Sequence, residues 1–157
     1  MGETIFSIPT SEFLSTDVQF NNLLLQQWEE VDDRRKTSEL NVQWDSYKAS
    51  EEAGMHIWLL AVEYDEAGFP FVKGYISLFL CPSMHTGELT ALTDTMYVVP
   101  SERGTGLGSE LIKQAEQVVK NKGAKHFMVT FKNGIEHSNI VERLGLFNYE
   151  TVYCKAL

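Results

Sequence analysis

The sequence predicts an α/β fold, with a mixed and mostly antiparallel central sheet flanked by helices. Three observations carry that expectation. Residues 94–123 join a β-branched run, a glycine-rich turn and an amphipathic helix without a gap. Residues 56–64 and 69–80 are apolar runs separated by Asp65-Glu-Ala-Gly68, which is a hairpin signal. Two stretches of helical period fill the first third of the chain.

Taken in order, residues 3–9 are short and alternating and predict a first strand. Residues 13–33 carry Phe13, Val18, Phe20, Leu23, Leu24, Leu25, Trp28 and Val31, much of this at helical spacing, with Thr16 or Asp17 as a cap. Residues 32–38 are a charged break. Residues 41–54 suggest a second, shorter helix with Trp44, Tyr47 and Lys48 on adjoining faces and Gly54 at its end. The hairpin follows, its second strand interrupted by Gly74. Residues 81–87 read as a loop and residues 88–99 as the strand leading to the glycine turn. In the next helix Leu107, Leu111, Ala115, Val118 and Val119 form one stripe, and Lys113, Glu116, Gln117 and Lys120 take the other side. Lys122 and Gly123 stop it. Residues 126–131 predict another strand, 136–144 a short helix, and 147–155 a last strand that closes the sheet. There is no internal repeat or low-complexity tract, so residues 1–157 read as a single domain.

An apolar content of 43% with 11% aromatic residues places the chain among globular proteins. No apolar run approaches the roughly twenty residues of a membrane span, and no signal peptide is visible. Cys81 and Cys154 are too few for a disulfide framework, so a reducing cytoplasm is the plain expectation. Cys81 and His85 lack a second pair and make no zinc site; no metal is expected. The net charge of −9 argues against a nucleic-acid backbone as the main partner. It is compatible with a cationic substrate, and ordinary solubility accounts for it as well.

The chemistry concentrates at Arg103-Gly-Thr-Gly-Leu-Gly108. The first N–H groups of a helix have no partner within it, and the macrodipole adds partial positive charge there. Glycines at 104, 106 and 108 remove Cβ atoms from the approach, and Arg103 adds a charged donor. Strand, glycine turn and helix thus make a pyrophosphate cradle. A Walker loop needs Gly-Lys-Ser/Thr, but Gly108 is followed by Ser-Glu. A dinucleotide fingerprint needs G-x-G-x-x-G and a later acid, but the spacing here is G-x-G-x-G and residue 128 is Met.

The pattern R-x-x-G-x-G, preceded by Tyr97-Val-x-Pro, resembles the acetyl-coenzyme A loop of the GNAT superfamily of N-acetyltransferases. The resemblance covers about residues 72–146. The last residues, 149–155, are similar to small acetyltransferases of tailed bacteriophages. The resemblance implies a sheet splayed at the cofactor site, with acetyl-coenzyme A between residues 96–98 and 126–131. Arg103, Gly104, Thr105, Gly106, Leu107, Gly108 and Ser109 would then hold the pyrophosphate, and Met96, Tyr97 and Val98 would flank the pantetheine arm. A backbone N–H near Tyr97 or Val98 would polarise the thioester carbonyl, and Asn133 would face the coenzyme. The implied activity is transfer of acetyl to a primary amine by direct attack in a ternary complex. A coenzyme-binding module without transfer, or a modifier of a specific host or partner protein, are the alternatives. A homodimer would be in character for the family.

Members of the family often place a general base on the strand before the cradle, and Asp94 falls there, with Glu88 a more distant second. Asp94, Met96 and Val98 would point to one face of a regular strand; Asp94 is equally readable as a polar strand residue bonded to a loop. The family's usual general acid is a tyrosine on the last helix, and its position here is Val141, leaving His137, Tyr97, Tyr149 or water as substitutes. Trp44 and Tyr47 lie where the family builds its acceptor site, where aromatic faces would suit a cation; the same spacing suits a core. His56 and His126 open strands and carry no signal.

Overall fold

Two long strands that are apolar on both faces set the centre of the molecule. The computed structural model describes residues 2–31, 39–131 and 138–155. Their order is β1 (Ile5–Ser7), α1 (Ser11–Thr16), α2 (Val18–Val31), α3 (Trp44–Glu52), β2 (His56–Tyr64), β3 (Pro70–Pro82), β4 (Leu89–Val98), a 3-10 turn (Pro100–Glu102), α4 (Leu107–Asn121), β5 (His126–Met128) and α5 (Ser138–Arg143). The strands pair in chain order, antiparallel from β1 to β4 and parallel between β4 and β5. This is the mixed sheet with flanking helices that the sequence predicts.

Period-two alternation divides the core between the sheet's faces. Ile57, Leu59 and Ala61 of β2, with Ile76, Leu78 and Leu80 of β3, meet Leu111, Ala115 and Val119 of α4. The intervening Trp58, Leu60 and Val62, with Tyr75 and Tyr97, meet Leu14 of α1 and Phe20, Leu23 and Leu24 of α2. Because helices cover both faces, β2 reads as an unbroken apolar run.

The expected helix over 13–33 is two helices among the described residues. Asp17 has an extended backbone, and its Oδ1 accepts the Phe20 N–H at 2.7 Å, which caps α2 and ends α1. The closing strand expected at 147–155 is not formed. β5 is only three residues long and offers no ladder of matching length, and Phe147, Tyr149, Val152 and Tyr153 are exposed. Apolar alternation makes a strand only where a neighbour and a face to bury exist.

Candidate functional site

A gap between β4 and β5 is the first element of the site. The two strands pair only through Thr90–Leu92 and His126–Met128. Beyond that, the Thr93 hydroxyl stands in for a ladder bond: its Oγ1 accepts the Thr130 N–H at 2.9 Å and lies 2.9 Å from Thr130 Oγ1. From Thr95 onward no ladder to β5 is formed among the described residues. On the other edge, the Val99 N–H donates to Lys73 O at 3.0 Å. Antiparallel pairs alternate, so Tyr97 and Tyr75 exchange bonds while the backbone groups of Met96 and Val98 point into the gap. Of the amides of Tyr97 and Val98, that of Val98 points into the gap.

The glycine loop opens directly above. Gly104 and Gly106 have φ of +80° and +94°, which other residues reach only with strain, and a Cβ on either would meet nothing within 4 Å. Leu107 is buried in the core and thereby fixes the start of α4. Gly108 and Ser109 supply first-turn N–H groups that no helical carbonyl can accept. Thr105 turns inward: its hydroxyl donates to Glu102 O at 2.7 Å and accepts the Leu107 N–H at 3.4 Å.

Two cationic side chains, Lys73 and Arg103, tie the loop to the rest of the fold. Lys73 of β3 bridges Glu102 (3.1 Å) and Glu63 (2.9 Å). Arg103 grips Glu30 of α2 through both terminal nitrogens, at 2.6 and 2.8 Å, while its Nε donates to Val98 O at 3.0 Å. The Arg103 bond holds the Glu30 carboxyl below its ordinary range and raises the guanidinium above its own. The Tyr97 hydroxyl joins this cluster, donating to Glu30 at 3.1 Å, and burial pushes its pKa up. Arg103 is therefore a strut between α2 and the loop. The Tyr97 side chain stands on the α2 face, opposite Met96 and Val98.

Asp94 sits on an irregularity in β4. Ser77 pairs with Thr95 and Leu78 with Thr93, so Asp94 is an extra residue with no partner in β3. The bulge overturns the expectation of a shared face. Met96 and Val98 pack toward α4, whereas Asp94 turns to the α3 side. There its Oδ2 accepts from the Tyr47 hydroxyl at 2.6 Å and from the Ser77 hydroxyl at 3.1 Å. Ser77 Oγ also lies 2.8 Å from His56 Nε2. Burial lowers the His56 pKa to about 4 and, with the bond to Asp94, raises that of Tyr47.

These parts line one open groove of about 2170 Å³, shared by Tyr47, Asp94, Met96, Val98, Gly106 and Phe127. Trp44 is half-buried and packs against Phe20 and Trp58, with ring centroids 6.4 and 6.0 Å away. Tyr47 lines the groove while its ring packs, tilted, against the His56 and Trp58 rings. Val141 belongs to α5, and Tyr149 is 71% exposed. Asn133 and His137 lie outside the described residues. Sequence reasoning missed His56, Ser77, Gln27 and Glu30. Gln27 accepts from the Tyr75 hydroxyl and donates to Thr95 Oγ1, holding α2 against the bulge. The available signal was a lone polar residue inside an apolar run, as with His56 before 57–62 and Ser77 within 75–80.

Comparison with known proteins adds a lineage to this geometry. The model of the acetyltransferase (GNAT) family matches residues 18–145. A thialysine N-epsilon-acetyltransferase of Mus musculus is 39% identical over 56 residues, which is 36% of this chain and 32% of that protein. The chain thus matches about a third of its curated relative. An acetyltransferase structure from Trypanosoma brucei superposes with a TM-score of 0.70 at 18% identity, covering 99% of this chain and 100% of that one. An aminoglycoside acetyltransferase from an uncultured soil metagenomic sample, solved in complex with sisomicin, gives 0.72 at 13% identity, covering 98% and 96%. Such distant likenesses bear on the fold alone.

Proposed function

Because this chain belongs to the acetyltransferase (GNAT) family, we propose that it transfers acetyl from acetyl-coenzyme A to a primary amine, by direct attack in a ternary complex. The observation that carries the reading is the coincidence of three features in one groove: an unpaired β4 edge, a glycine loop at a helix start, and a carboxylate on the bulge. The residues present fit the coenzyme. The cradle at Gly104 and Gly106 has room where a Cβ would stand, and the Gly108 and Ser109 amides face it as donors. The Met96 backbone would pair with the pantetheine arm as a neighbouring strand does, leaving the Val98 N–H for the thioester because the Val98 carbonyl already accepts from Arg103 Nε.

The residues divide the chemistry between them. A lysine-like amine with pKa about 10.4 is protonated at pH 7, and freeing its lone pair costs roughly 4.6 kcal/mol. Asp94, exposed to the groove with Oδ2 already held by two donors, takes that proton. The Val98 N–H, aimed into the gap, stabilises the oxyanion formed as nitrogen attacks the thioester carbon. Collapse breaks the C–S bond, and the thiolate takes a proton from water, since the Tyr97 hydroxyl is given to Glu30. His137 remains a proposed alternative acid outside the described residues. Ser77 is fully buried and cannot serve as a covalent nucleophile. The aromatic wall at Tyr47 and the negative net charge favour a cationic acceptor. The names of the relatives suggest thialysine and aminoglycosides as probes.

One observation favours a second reading. Val141 stands where the family's tyrosine acid is expected, as in a module that binds the coenzyme without transfer. Thiol release from acetyl-coenzyme A, measured with and without thialysine, spermidine and sisomicin, separates the two. Amine-dependent release is expected. Release no faster than amine-free hydrolysis, by protein that binds the coenzyme, would favour the module.

A further inference from the structure

We propose that His56 and Ser77 are positioning residues for Asp94: they fix the polarity of a buried hydrogen-bond chain so that Asp94 Oδ2 is held by two donors and Oδ1 is presented to the acceptor's ammonium. This rests on the reading of Asp94 as the base, and deepens it.

The inference follows from counting hydrogens. Ser77 is fully buried and its hydroxyl has one hydrogen, yet its Oγ lies 2.8 Å from His56 Nε2 and 3.1 Å from Asp94 Oδ2. An ionised Asp94 brings no hydrogen, so Ser77 must donate to it. The short contact on the other side then requires His56 to carry its hydrogen on Nε2. A second observation selects the same tautomer. His56 is 3% exposed, and its Nδ1 has no partner among the described residues. An unpaired acceptor is tolerated better in a buried site than an unpaired N–H. Tyr47 supplies the other donor to Oδ2 at 2.6 Å, and no bond to Oδ1 is formed among the described residues.

The walls keep the chain in this state. The Tyr47 and Phe79 rings each lie 4.8 Å from the imidazole, and the Trp58 ring 5.1 Å. The ionisable groups facing His56 are Tyr47 from α3 and, through Ser77, Asp94 from β4. Burial lowers the His56 pKa to about 4, so the imidazole stays neutral where the enzyme would work. A neutral, fixed donor at Nε2 leaves Ser77 one orientation and Asp94 one rotamer. That is the preorganisation a proton acceptor needs.

The test begins with long-range ¹⁵N–¹H spectra of the histidine side chains in the full chain, with His56→Gln assigning the signal. The expected result is a neutral Nε2–H tautomer from about pH 5.5 to 8. Asp94→Asn, whose carbonyl still accepts, should keep that tautomer. Asp94→Ala frees the Ser77 hydrogen to turn toward Nε2 and should shift the population to Nδ1–H. A wild type in the Nδ1–H form, or a His56 that charges near its ordinary value of about 6.5, overturns the proposal. Kinetics give the second readout, with acetyl-coenzyme A and thialysine, spermidine and sisomicin as probe amines. His56→Leu should lower kcat about 10- to 100-fold with coenzyme affinity unchanged. His56→Gln, which restores an amide donor, should recover most of it. Equal losses in both variants count against positioning. An active Asp94→Asn with the Nε2–H tautomer intact would instead refute Asp94 as the base.

Discussion

Tyr47 of α3 donates its phenol hydrogen to Asp94 Oδ2 across 2.6 Å, joining a wall of the groove to the bulge in β4. The bond gives a core-like aromatic residue a second duty, because the same ring packs on Trp58 at 5.0 Å. Asp94→Asn should therefore lower kcat by about 10²- to 10⁴-fold while sparing coenzyme affinity. Tyr47→Phe keeps the packing and loses only the bond, and about a tenfold loss is expected. Steady-state kinetics on the two variants will check the ranking; a Tyr47→Phe loss as large as that of Asp94→Asn would contradict it.

Gly74 faces Val98 across the β3–β4 ladder, under α4. A Cβ there would stand 2.8 Å from Tyr97 O and 3.1 Å from Leu111 Cδ1. A carbonyl fixed in a ladder cannot move aside cheaply, so Gly74→Ala should cost about 1–3 kcal/mol, read from urea unfolding. Gly108→Ala makes the contrast. Its Cβ would meet Met96 Cε at 3.5 Å, an ordinary contact, and unfolding should be unaffected or slightly harder. Equal destabilisation by the two would show that the ladder here is less tight than described.

The buried imidazole makes stability depend on pH in a defined window. With the folded His56 pKa near 4 and the unfolded value at 6.5, the unfolded chain binds more protons between those limits. Stability therefore falls as pH drops from 6.5 toward 4, by up to about 3 kcal/mol from this group alone. Urea midpoints measured across the window should slope accordingly, and His56→Gln should flatten the slope. Glu30 acts lower down. Its contribution is present above pH 4.5 and is lost as pH falls through its depressed folded value.

Local periodicity made much of this fold legible. The β2–β3 hairpin, the glycine turn and α4 stand where alternation, turn residues and a three-four stripe place them. What the pattern could not hold was set by pairing at a distance. A bulge belongs to the register of two strands, so the reversal of Asp94 to the α3 face had no sign in the residues around it. Arg103 meets Glu30 across 73 positions, and Ser77 meets His56 across 21; neither pair has a spacing rule. At Trp44 the helical spacing suits a groove and a core alike, and the ring lies beside Phe20 and Trp58 while staying half-buried.

Calorimetric titration of acetyl-coenzyme A into wild type and Gly106→Trp tests the central claim most directly. A side chain at residue 106 projects into open space, so an indole there can occupy the cradle, and its φ of +94° adds about 1–2 kcal/mol of strain that circular dichroism can show to be survivable. Saturable binding by wild type, weakened at least about tenfold in a folded variant, is the predicted result. A folded wild type that does not bind the coenzyme, or a folded variant that binds it equally well, would contradict the assignment of the glycine loop.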